Sequence, residues 1–138
     1  MSKPCRLPAL HFLVPGSINR PTGGSRYDRE IAEALIGEGH SVSVIELAGH
    51  FPGPDDEAAT AVAEALAAIK DGSRVIVDGL VLGGLPEAFE PHAQRLELIA
   101  LIDHPLCLES GLSTQTAEAL RSSEQQALKY CTKVITTS

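Results

Sequence analysis

Two stretches far apart in the chain carry residue types able to act on a ligand. The first runs from Pro15 to Ser25, where Gly23 and Gly24 stand directly ahead of a helical pattern. Glycines there leave backbone N–H groups uncovered, and the positive end of the helix dipole adds to their pull on an anion. Ser25 joins them, Gly16 opens the loop behind an apolar run, and Arg20, Arg26 and Tyr27 lie near enough to add donors. The second stretch is Asp103-His104-Pro105 with Glu109 and Ser110-Gly111 behind it. An imidazole at a strand end can move a proton, and neighbouring carboxylates can bind ligand hydroxyls. Asp78-Gly79, behind another apolar run, is a third position of the same kind. Plainer accounts stand beside these: glycines that ease a turn, an arginine in water, a polar surface loop.

Several chemistries lack their residues. The glycine spacing matches neither Gly-x-Gly-x-x-Gly nor the P-loop pattern, and no Gly-x-Ser-x-Gly elbow or His-Glu-x-x-His pair occurs. His11, His40, His50 and His92 show no metal-ligand spacing, so no metal is expected. Cys5, Cys107 and Cys131 are odd in number and contain no Cys-x-x-Cys pair, which fits a reducing cytoplasm better than a disulfide framework. Eleven Lys and Arg against eighteen Asp and Glu give a formal charge of -7, which repels a phosphate backbone. With two Tyr, three Phe and no Trp, the chain also has few platforms for stacking bases, and nucleic acid is not an expected partner. Leu96 to Ile102 is the longest kind of aliphatic run present, far short of the ~20 residues of a membrane span. The Met-Ser-Lys-Pro-Cys-Arg start does not have the apolar core of a secretory signal.

The elements that must position those groups follow from hydrophobic periodicity. Short aliphatic runs alternate with segments of period near 3.6, the pattern of βαβ units. Strands are expected at Ala9 to Val14, Ser41 to Glu46, Arg74 to Asp78, Glu97 to Ile102 and Lys133 to Thr137. Arg74 to Asp78 is apolar in the manner of a central parallel strand. Ser25 followed by Asp28 predicts a capping box at the first long helix, Asp55 or Asp56 caps the second, and Ser113 or Thr114 the last. A short helix is expected between Gly79 and Pro91. The 138 residues therefore read as one α/β domain, a three-layer Rossmann-like parallel sheet, 43% apolar and 21% charged.

In such sheets ligands gather beyond the carboxyl ends of the strands where the winding reverses. A strand order of 3-2-1-4-5 would put that point between the first and fourth strands, so that the Pro15–Ser25 loop and Asp103–Ser113 share one crevice. The fifth strand runs into Ser138 with no helix after it, so the sheet is expected to present a bare edge that a C-terminal continuation, a partner or self-association would cover.

Taken together, these residues resemble the N-terminal half of GT-B glycosyltransferases, in particular the large retaining group (group 1, or family 4 type) that includes sucrose synthases and mannosyltransferases. The likeness rests on His11-Phe-Leu-Val-Pro-Gly-Ser17, on Thr22-Gly-Gly-Ser-Arg-Tyr-Asp28, and on Leu35 to Val44. Asp103-His-Pro-Leu106 and the Ser123-Glu124 helix leading to Val134-Ile-Thr-Thr-Ser138 extend it over nearly the whole chain. The resemblance implies a transferase that moves a sugar from a nucleotide-sugar donor to an acceptor. Gly23 and Gly24 would lie near the donor diphosphate, and His104 would approach the sugar as the catalytic residue. The donor would be held chiefly by a second Rossmann-like half, and these 138 residues alone are expected to be inactive. The chain keeps few basic residues at surfaces of that kind, Arg20, Arg26 and Lys129, which speaks against a lipid acceptor. A standalone ligand-binding or regulatory module of the same fold is the other reading. A receiver domain fits poorly, because Pro15-Gly16 stands where an acidic cluster belongs.

Overall fold

The computed structural model describes residues 10–17, 23–51, 54–102, 111 and 113–136, with the backbone alone at 23–25. In chain order the elements are β1 (Leu10–Pro15), α1 (Gly23–Gly37), β2 (Val42–Leu47), α2 (Asp56–Ala67), β3 (Arg74–Asp78), α3 (Gly79–Leu82) and α4 (Pro86–Phe89). A 3-10 turn (Glu90–His92), β4 (Glu97–Ile102), α5 (Thr114–Leu128) and β5 (Lys133–Thr136) follow. All strand pairs are parallel, and the sheet order is β2-β1-β3-β4-β5. The architecture is a three-layer, Rossmann-like α/β fold.

Strand order differs from the 3-2-1-4-5 expectation. β3 pairs with β1 on the side away from β2, with Leu10 opposite Arg74 and Leu13 opposite Val77. The physical reason lies in the strands themselves. Val75, Ile76 and Val77 are at most 3% exposed, a run that an outer strand would leave half in water. β2 mixes exposed and half-buried positions and takes the edge instead. The winding therefore reverses between β1 and β3.

Period-2 alternation divides the core into two layers. Phe12, Val14, Ile76, Ile99 and Leu101 face one way and pack with Ala32, Ile31 and Leu35 of α1. Leu13, Val75, Val77, Leu98 and Ala100 face the other way, toward Val62 and Leu66 of α2, Leu82 of α3, Phe89 of α4 and Ala127 of α5. Right-handed crossovers require this division. The β1-to-β2 step runs one way across the sheet, and the later steps run back the other way. Among the described residues α1 is the one helix on its face, and a groove of about 350 Å3 lies beside it, floored by Ile76, Ile99 and Ile135.

Helix starts follow their caps. The Asp55 carboxylate accepts from Ala58 N at 2.9 Å and from His50 N at 3.2 Å, and those two bonds hold its pKa below the usual carboxylate value. Ser113 Oγ accepts from Thr116 N at 3.1 Å. The expected Ser25–Asp28 box is not how α1 begins. The helix starts at Gly23, which places Asp28 beyond its first turn and 3% exposed.

Candidate functional site at the carboxyl edge of the sheet

Parallel pairing brings the strand ends to one rim. Leu13 is level with Val77, Asp78 with Leu101, and Ile102 with Thr136. Strands lie about 4.8 Å apart, so the end of β4 is about 10 Å from that of β1, with the end of β3 between them. The groups available at the reversal point are thus Gly16, the start of α1 and Asp78-Gly79.

Gly16 leaves the sheet with φ +65°, while its N–H still reaches Leu47 O at 2.8 Å. The left-handed step redirects the chain at the last rung of the β1–β2 ladder, a turn that suits glycine. α1 then begins at Gly23-Gly24-Ser25, and its first turn contains no acidic residue. By helix geometry the first N–H groups have no acceptor within the helix. α2 is built the opposite way, with Asp55 as its cap and Asp56 and Glu57 in its first turn. One helix start carries its own negative charge; the first turn of the other does not.

Asp78 ends β3, is 7% exposed, and accepts from Leu80 N at 2.8 Å through Oδ1. That bond turns the chain directly from strand into α3. Gly79 packs so tightly on the end of β4 that an added Cβ would meet Ile102 Cδ1 at 3.0 Å and Leu101 O at 3.3 Å. The β3–α3 turn and the point where the chain leaves β4 are therefore held against each other.

Arg26 points elsewhere, with Nε 3.2 Å from Glu30 Oε1 on the exposed side of α1. Tyr27 packs against the α1-side core. Arg20, Asp103, His104 and Glu109 lie outside the described residues. Among the sequence-selected positions, the structure thus brings Gly16, Asp78 and the Gly23–Ser25 backbone to one edge and turns Arg26 away from it. Asp28 was read from sequence only as a cap partner, yet it is a buried acid on the sheet side of α1, one turn before Ala32. Its i, i+3, i+4 and i+7 spacing to Ile31, Ala32 and Leu35 was the available signal.

Among the described residues no group of three or more His, Cys, Asp or Glu could hold a metal ion, and no helix is long and apolar enough to cross a membrane. Compared with known proteins, the chain matches no family model and no curated protein.

Proposed function

We propose that this chain is the N-terminal, acceptor-side half of a glycosyltransferase of the GT-B type, which transfers a sugar from a nucleotide-sugar donor to an acceptor. One observation carries the reading: an acid-free helix start at Gly23-Gly24, set at the winding reversal of a parallel sheet. Sugar transfer from a nucleoside diphosphate builds negative charge on the leaving group. A helix N-terminus stabilises that charge without a titratable group. In this reading Gly16 and Gly23 to Ser25 face the diphosphate, and Asp78 and Asp103 border the sugar side. His104 is the catalytic residue, Glu109 binds hydroxyls, and Arg20 adds charge at the rim, whereas Arg26, paired with Glu30, does not. Closure against a second α/β half would exclude water from the donor.

Titration calorimetry with UDP-glucose, GDP-mannose and inorganic phosphate tests this. Expected is binding of a nucleotide sugar that weakens about tenfold in Gly24→Val and again in His104→Ala, equivalent to ~1.4 kcal/mol for each. Unchanged affinity in both variants refutes the site. Turnover at an ordinary enzyme rate by the 138 residues alone refutes the division of labour.

The strand order favours a second reading, a standalone small-ligand-binding or regulatory module, because 2-1-3-4-5 is also the order of doubly wound domains that work without a second half. Phosphate binding as tight as nucleotide-sugar binding would favour it.

A further inference from the structure

At the opposite, amino edge of the sheet, the Arg95 guanidinium ties its own turn to the stretch from Leu66 to Asp71, 24 to 29 residues earlier. Nη2 donates to Leu66 O at 2.6 Å, and Nη1 donates to Ile69 O at 2.7 Å and to Asp71 Oδ1 at 2.9 Å. It thereby satisfies the Ile69 carbonyl just past α2 and adds a donor to the Leu66 carbonyl, which also accepts from Ile69 N at 3.2 Å. Nε donates to His92 Nδ1 at 2.9 Å. The Arg95 carbonyl completes the knot by accepting from Gly72 N at 2.6 Å, in the turn that enters β3.

The bond from Arg95 to His92 sets a condition on the ring. Nδ1 can accept only while the imidazole is neutral with its proton on Nε2. A second proton turns the acceptor into a donor and sets two cations at contact distance.

We propose that Arg95 and His92 form a pH-sensitive latch, closed while the His92 ring is neutral and opened by its protonation, which frees the end of α2 and the turns into β3 and β4 together. Two carboxylates flank it among the described residues. Asp71, 82% exposed at its side chain, reaches the far edge of the guanidinium from the β3 turn. Glu90, on the same 3-10 turn as His92, is turned toward α5, where its Oε2 accepts from Tyr130 Oη at 2.8 Å. Neither carboxylate is hydrogen-bonded to the ring. Burial first, and the Arg95 cation second, hold the His92 pKa below the ordinary histidine value. The unfolded chain therefore binds the proton more readily than the folded one. The latch's stabilisation is complete above about pH 7 and is lost as the pH falls through the ordinary histidine value, about 6.5, toward the lowered one.

The test is NMR of the 138-residue chain between pH 8 and pH 5, with His92→Gln as the variant that keeps an acceptor but does not titrate. In the wild type the Gly72 amide should lose about tenfold protection, after correction for intrinsic exchange, for each unit by which the His92 pKa is lowered. In His92→Gln that loss should disappear. Equal pH dependence in both proteins overturns the latch. If His92→Gln fails to fold, the wild-type ring resonances decide. A His92 midpoint below that of free histidine supports the latch, and one at or above it overturns the proposal.

Discussion

Gly49 and Gly72 both adopt left-handed backbone, with φ +100° and +83°, yet only one of them is also pressed against a neighbour. A Cβ on Gly49 would run into the N, Cα and Cβ atoms of Ala58 in the first turn of α2, whereas one on Gly72 meets nothing within 4 Å. Ala58 is 0% exposed and its N–H is engaged by Asp55, so it has no room to retreat. Gly72→Ala carries the left-handed penalty of about 1–2 kcal/mol, offset by ~0.4–1 kcal/mol from the stiffer unfolded chain, leaving about 1 kcal/mol of destabilisation. Gly49→Ala carries the same terms plus overpacking of about 1–3 kcal/mol, for a loss of ~2–4 kcal/mol. Urea unfolding followed by circular dichroism and tyrosine fluorescence, with coincident transitions, measures both. With m near 1–3 kcal/mol/M, the two midpoints should lie about 1 M apart. Variants equal within about 0.5 kcal/mol would refute the close contact between Gly49 and α2, and with it the way β2 delivers the chain to that helix.

Two further outcomes follow from single side chains. Ser113→Ala removes the hydroxyl that accepts from Thr116 N, and urea unfolding should show a loss of about 1 kcal/mol. Burial pushes the Cys131 thiol up to about 11, so in a Cys5→Ser, Cys107→Ser background it should react with Ellman's reagent far more slowly when folded than in urea at pH 8. Because the folded thiol holds its proton longer, that group should also cost stability as the pH rises through the ordinary cysteine range, which alkaline unfolding curves of Cys131→Ala would reveal.

Local signals in the sequence were faithful where the structure depends on local physics. Arg74–Asp78 and Glu97–Ile102 form strands with the expected bounds, and Asp55 and Ser113 cap the helices they precede. The start of α1 misled because glycines read as loop, and a preceding segment can feed a helix directly through them. Order in the sheet is a tertiary choice. Even so, the unbroken apolar run at Val75–Val77 already called for an interior place, next to β1 and not at an edge. Arg95 left no trace in any local pattern, since its backbone acceptors lie 26 and 29 residues away. At the carboxyl edge, the apolar runs before Gly16 and through Asp78 already placed both residues at strand ends. The orientation of Arg26 depended on a helix phase set by the earlier start at Gly23.

The covering of one sheet face by α1, the one helix there among the described residues, has a thermodynamic consequence. The first residues of α1 form the proposed anion-holding end, and two to three turns later Ile31, Ala32 and Leu35 shield Phe12, Val14 and Ile76 from solvent. Occupancy and cohesion of that half of the molecule thus share one rod. Whatever binds at its tip raises the melting temperature by mass action, and a cavity carved at Ala32's neighbours lowers it.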